Sequence, residues 1–163
     1  MRKQKGFSLI ELLIVVAIIL IIAAIAIPNL LRSRIAANEA SAVGSIRTIN
    51  TAEVTYASTY PNMGFGGLPQ LGPSADGTVT SAAGGLIDSV LASSVKSGYV
   101  FAVVTGTASG GVVPSYAVNG DPQNSQTGQR HFCSDQSGVI RYDVATKITS
   151  TGDTGCTTGS PLQ

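Results

Sequence analysis

The chain has 163 residues, 44% of them hydrophobic and only 12% charged, with 19 Gly, two Cys and no Trp, which fits one domain of moderate size. Formal net charge is +1, and from Phe7 onward seven basic residues stand against nine acidic ones. That balance supplies no basic face, so no specific nucleic-acid site is evident.

The first predicted element lies in "KGFSLIELLIVVAIILIIAAIAIPNLL", Lys5 to Leu31. From Phe7 to Ile27 there are 21 residues, and only Ser8 and Glu11 are polar. As a helix this run spans ~32 Å at ~1.5 Å per residue, about the hydrocarbon thickness of a bilayer. Arg2, Lys3 and Lys5 precede it. A secretory signal peptide would have an apolar stretch of only ~7–15 residues. The segment "AAIAIP" imitates a cleavage site after Ala26, but a cut there would leave Ile27-Pro28 at the new terminus. A single-pass anchor accounts for the length, and for an orientation that keeps the Lys/Arg flank cytoplasmic. Neither reading accounts for Glu11, since a charge near the membrane interior costs at least ~2.5–3 kcal/mol. Neither accounts for the abrupt junction between "KQKG" and "FSLIE".

On these residues the segment resembles the N-terminus of a type IV pilin or related pilin-like protein. The resemblance covers about the first thirty residues. It implies a basic leader, Met1 to Gly6, removed by a prepilin peptidase that cuts between Gly6 and Phe7 and methylates the amine of Phe7. The family's Glu, fifth in the mature chain, falls on Glu11, and a helix-kinking Pro falls on Pro28. The implied fold is α+β, with a long N-terminal helix, membrane-spanning in its first half, packed on a small antiparallel sheet. The implied partners are further copies of the chain in a helical filament, the prepilin peptidase, an inner-membrane assembly machinery, and membrane lipid before assembly. No cofactor is implied.

Physics supplies a reason for Glu11 that does not depend on the family. Glu11 lies ~6 Å along a helix from Phe7, close enough to the interface to snorkel or to be protonated. If subunits stack with an axial offset, its carboxylate meets the Phe7 ammonium of the next helix, and pairing removes the penalty on both charges. A wrong stagger would leave a buried charge unpaired. Glu11 thus reads as a pin for subunit register, and methylation of the amine keeps the charge it needs.

Four segments follow from this reading: leader 1–6, apolar helix 7–28, amphipathic continuation 29–60, and globular head 61–163. Pro28 removes the donor to the Ala24 carbonyl, so a kink or local unwinding is expected there. Beyond it Ile35, Ala42, Ile49 and Tyr56 recur every seven residues, with Ile46 and Tyr60 beside them, and form one apolar stripe that needs a sheet to cover it. The opposite face is expected to carry Arg34, Asn38, Ser41, Ser45 and Thr48. Gly44 weakens the helix by about 1 kcal/mol relative to Ala.

Thr59 to Gly77 holds three Pro and five Gly in nineteen residues, which predicts an irregular loop. "GGLIDSVLASSVKSG" predicts a short helix from about Leu86 to Lys96, ended by Gly98. Strands are predicted at "YVFAVVT", "VVPSYAVN", "RHFCS" and "VIRYD", with a hairpin at "DQSG". Short connections make them antiparallel. The tail beyond Val144 is rich in Thr, Ser and Gly. Cys133 and Cys156 are separated by 22 residues, and an even count behind a membrane-targeting segment suggests a disulfide formed in an oxidising compartment. Two reduced thiols are the alternative, while a zinc site would have only His131 to add to them.

Catalytic signals are weak, and no enzyme is expected. His131 alternates with Phe132 and Cys133 as an ordinary strand residue would. Asp135 and Ser137 sit in the hairpin, where their side chains bond their own backbone. No G-x-S-x-G, H-E-x-x-H or phosphate-binding loop is present. In "NGDPQNSQTGQ", Asn119, Asp121 and Asn124 offer oxygens to calcium, but without the carboxylate density of a recognised calcium loop. Metal ligands are therefore not assigned. The leading function is a structural subunit of a type IV pilus, serving adhesion, twitching or DNA uptake. The runner-up is a pseudopilin of a type II secretion system, and a third class is an unprocessed, membrane-anchored periplasmic binding module. The disulfide leans toward the pilin; calcium in the loop after the second strand would lean toward the pseudopilin.

Overall fold

The structure is a computed structural model that describes residues 6–162. The expected leader, as far as Lys5, lies outside the described residues. The chain divides into two compact units, Met1–Arg34 and Ile35–Gln163.

The helix α1 (Leu9–Thr59) is 51 residues long and runs on through Pro28 without interruption. Over residues 9–27 it is apolar all round apart from Glu11. From Leu9 to Leu31 every Leu, Ile and Val is solvent-exposed, and this stretch is long and apolar enough to cross a membrane.

In the second unit α1 is one-sided. Ala42, Ile46, Ile49, Ala52 and Tyr56 are buried, while Gly44, Arg47, Thr48, Thr51 and Thr55 face out. The predicted stripe is therefore the core-facing stripe, with Ile35 at its half-buried margin. Ser45 differs from expectation, for it is buried beside Ile46, and Asn38 is half-buried because its amide donates to the Thr127 carbonyl at 2.9 Å.

The loop after α1 is not wholly irregular. A one-turn helix α2 (Leu68–Leu71) buries Leu68 and Leu71. Gly67 starts it, Pro69 falls in its first turn, and the Gln70 side chain accepts from the Gly67 amide at 2.8 Å. The helix expected over Leu86–Lys96 is shorter, α3 (Ser89–Ala92). Asp88 sets its start by accepting from the Leu91 amide at 2.8 Å. Ser94 and Ser97 have φ of 71° and 51°, so the chain leaves helical geometry early and turns into strand β1 (Val95–Lys96).

The sheet continues with β2 (Tyr99–Thr105), β3 (Tyr116–Pro122), β4 (His131–Asp135), β5 (Arg141–Asp143) and β6 (Ser160–Pro161). The six strands lie in sequence order, each antiparallel to the next. β3 begins later and ends later than predicted, passing through Asn119-Gly120, a pair that reads as a turn. The reason lies at Gly120, where a Cβ would meet Ile46 and Phe101 at 3.2 Å; the glycine lets helix and sheet close on each other. The hairpin at Asp135–Gly138 forms as predicted, its Gly138 amide donating to the Asp135 carbonyl at 2.8 Å.

One face of the sheet packs Tyr99, Phe101, Tyr116, Val118 and Phe132 against the α1 stripe. The other face of β4 presents Cys133, which forms a second, smaller core with Ile148 and Cys156. Cys133 and Cys156 are joined in a disulfide with Cα atoms 5.9 Å apart.

Candidate assembly site

The start of α1 is built by local capping. Ser8 stands just before the helix, and its carbonyl accepts from the Leu12 amide at 3.2 Å. Three residues on, Glu11 Oε2 accepts from the Ser8 amide at 3.1 Å. This is the side-chain half of a capping box, and it places a carboxylate where the helix macrodipole favours negative charge. Sequence reading assigned Glu11 only to a neighbour's ammonium and missed this bond, although "SLIE" is itself the S-x-x-E signal. The nitrogen that Glu11 holds belongs to the residue after Phe7.

Gly6 and Phe7 are exposed, Phe7 by 81%. A Cβ on Gly6 would meet none of the described residues within 4 Å. The site thus combines an exposed Gly-Phe pair, a cap carboxylate one turn away, and an apolar helical stretch whose Leu, Ile and Val side chains are all exposed.

Two other carboxylates on α1 were not singled out from sequence, and both are buried. Glu39 is 6% exposed. Its Oε1 accepts from the Gln129 and Arg130 amides at 2.9 and 3.2 Å, and its Oε2 pairs with Arg130 Nε at 2.7 Å. The Arg130 guanidinium also lies 5.6 and 5.4 Å from the ring centres of Phe132 and Tyr142. Glu39 therefore clamps the β3–β4 loop to the helix. Glu53 is fully buried in the apolar stripe. Its Oε2 accepts from the Gly66 amide at 3.0 Å, and its Oε1 has no hydrogen-bond partner among the described residues. Burial pushes this carboxyl up to about 7, against the opposing pull of the Gly66 bond.

The weaker candidates are dispersed over separate partners. His131 Nδ1 lies 2.7 Å from Asp121 Oδ1, and Asp121 Oδ2 pairs with Lys147 at 2.7 Å. Asn119 exchanges hydrogen bonds with Ser150, and Asn124 Oδ1 accepts from the Gln126 amide. The three oxygens considered for calcium thus point to three different places. Asp135 accepts from the Cys156 and Ser137 amides at 3.0 and 2.9 Å, tying the hairpin to the disulfide. Asp153 likewise takes the Thr107 amide and hydroxyl at 2.7 and 2.8 Å, fastening the tail to the β2–β3 loop.

Residues 1–27 match the family model described as the prokaryotic N-terminal methylation motif. The chain is similar to the type IV wide pilus major component PilA4 of Thermus thermophilus, at 67% identity over 39 residues, 24% of this chain and 30% of the relative. Over its N-terminal segment the chain is similar to type IV pilins. This pilin-like chain is also similar to the type IV major pilin protein PilA of Myxococcus xanthus, at 43% identity over 56 residues, 34% of the chain and 26% of the relative. A third similarity is to the type II secretion system core protein G of Vibrio cholerae, at 41% over 64 residues, 37% of the chain and 44% of the relative. The matched parts of the pilin-like chain span less than half the length of each of these relatives. No solved structure matches it at comparable significance.

Proposed function

We propose that the chain is a non-enzymatic structural subunit of a type IV pilus filament. The observation that carries this reading is the exposed apolar stretch of α1 headed by the methylation motif. An isolated soluble head would have no use for it. Before assembly the stretch sits in the inner membrane with its N-terminus cytoplasmic and its head outside. A prepilin peptidase releases the leader at Gly6, and the Phe7 amine is methylated. Assembly then moves apolar surface from lipid to neighbouring helices, so little hydrophobic free energy is lost. Copies stack by a heterologous contact that does not close, which generates a fibre rather than a ring. Glu11 reads as its register pin, pairing with the Phe7 ammonium of the neighbour in exchange for its own cap bond.

The similarity to a secretion-system core protein supports a second reading, a pseudopilin that stays in the periplasm. The tail disulfide and the separate engagement of Asn119, Asp121 and Asn124 favour the pilus. Mass spectrometry of filaments sheared from cells tests both. The pilus reading expects surface fibres whose dominant protein begins with N-methylated Phe7. Processed chain retained in the envelope, with no surface fibre containing it, overturns that reading in favour of the second. A chain still beginning at Met1 overturns both.

A further inference from the structure

We propose that Glu53 is a proton-operated latch on the loop between α1 and α2: as the neutral acid it holds the loop against the helix, and on ionisation it lets Phe65–Gly67 go.

The geometry is that of a carboxyl group with one bond and no counter-charge. Glu53 is fully buried among Ile49, Ala52 and Tyr56 on the core-facing side of α1. One oxygen takes the Gly66 amide at 3.0 Å; the other has no partner among the described residues. The titratable groups facing it are Tyr56 on α1 and Tyr116 on β3, each pushed up first by its own burial and also by Glu53. Neither phenol offers its proton to the carboxyl. Tyr56 donates to the Ser81 carbonyl at 2.5 Å and Tyr116 to Asn50 Oδ1 at 3.0 Å. Tyr60 packs on Tyr56 at 4.9 Å between ring centres, and the charge of Asp135 also acts on Tyr116. The covering loop, Pro61 to Gly72, contains no charged residue. None of the ion pairs among the described residues includes Glu53.

A carboxylate in that position has one amide to offset the loss of its hydration, so the closed site favours the neutral form. The loop is the part that can yield. Phe65 is held by its ring against Tyr116 at 4.8 Å and by its amide to the Val113 carbonyl at 3.1 Å. Gly66 passes so close to Tyr56 that a Cβ would stand 3.2 Å from its ring. Opening this short segment hydrates Glu53 without unfolding the sheet.

The direction follows from linkage. The closed state binds the proton more tightly, up to about 7, than the 4.5 of a free Glu. Closure is therefore strongest below 4.5, weakens as pH rises from 4.5 toward 7, and levels off above. Across that window one linked proton changes the open fraction about tenfold per pH unit.

Amide hydrogen exchange on the full chain in detergent micelles, corrected for intrinsic rates, reads this at Gly66. Protection at Gly66 should fall about tenfold per pH unit across the window, as one linked proton requires. Glu53→Gln keeps the shape and the acceptor for Gly66, so its Gly66 protection should lose the pH dependence. The carboxyl carbon of Glu53 in the unaltered chain, followed by carbon-13 NMR, should titrate with a midpoint near 7. PH-independent Gly66 protection in the unaltered chain, an unchanged dependence in Glu53→Gln, or a carboxyl midpoint near 4.5 would each overturn the latch.

Discussion

Leu9–Leu31 and Ile35–Thr59 belong to the same helix, yet their side chains solve opposite problems. The first stretch is apolar on every side, with all of its Leu, Ile and Val exposed. The second carries its apolar residues on one stripe, buried against the sheet, and Thr and Arg on the other. A stripe can be satisfied within one chain, whereas an all-round apolar helix needs an environment, either lipid or other helices. The polar exceptions follow the same division. Glu11, in the exposed stretch, has a local cap bond; Glu39 and Glu53, in the buried one, are engaged by the head.

The largest effect comes from Glu11→Leu. If that carboxylate only caps its own helix, losing it costs about 1 kcal/mol and improves insertion. If it pairs with the Phe7 ammonium of the next subunit, removal leaves that charge alone in an apolar bundle, at a cost of a few kcal/mol per subunit. The expected outcome is normal insertion and cleavage with at least a tenfold drop in sheared filaments. Filaments of normal yield and symmetry built from Glu11→Leu chains would leave only the capping role.

Matched truncations sharpen the contrast. Ile46→Ala removes a fully buried side chain and should destabilise the head by about 2–5 kcal/mol in denaturant melts of the detergent-solubilised chain. Ile18→Ala deletes the same atoms from an exposed position and should leave the head's transition unmoved. A head sensitive to Ile18→Ala would mean that the two stretches are energetically coupled.

The two stretches also differ in how plainly the sequence declares them. Phe7 to Ile27 is unmistakable because nearly every residue is apolar, and the stripe from Ile35 to Tyr56 is legible because its spacing matches the helical repeat. Glu53 escaped notice although it lies four residues beyond Ile49 in that stripe; periodicity counts apolar positions and passes over a polar one among them. Glu39 could not be paired with Arg130 from sequence, since they lie 91 positions apart and no local rule spans that distance. The predicted second strand stops at Asn119, one residue short of Gly120. Asn-Gly is a turn signal on local chemistry, but here the glycine serves the tertiary approach of Ile46. α3 fell short for a local reason that was visible, since Asp88 is a good helix start and the serines after Ala92 can leave the helix.

Within the head, the disulfide closes a loop of 22 intervening residues, and the chain-entropy model gives it roughly 3–3.5 kcal/mol. Cys133→Ser should lower the head's unfolding free energy by about 3 kcal/mol, and unreduced protein from the envelope should show no free thiol. Full labelling of both cysteines in the native, unreduced chain contradicts the bridge.

The smallest effect tests whether the short elements of the head are set locally. Asp88 Oδ1 caps α3 at the Leu91 amide, and its Oδ2 pairs with Lys96 at 2.9 Å. The Lys96 hydrogen bond, with the Leu91 amide second, holds the Asp88 carboxyl below its usual value. Its folded form therefore binds protons less tightly than the unfolded chain. The stabilisation is present above 3.8 and disappears as pH falls through the lowered value. Both side chains of the pair are well exposed, so the ion pair itself contributes little and is screened by salt. The cap bond should dominate. Asp88→Ala is expected to cost about 1 kcal/mol at neutral pH and less as pH falls through the lowered carboxyl value, and Lys96→Met only a few tenths. If Lys96→Met proves as costly as Asp88→Ala, and the cost vanishes in high salt, the ion pair rather than the cap sets the start of α3.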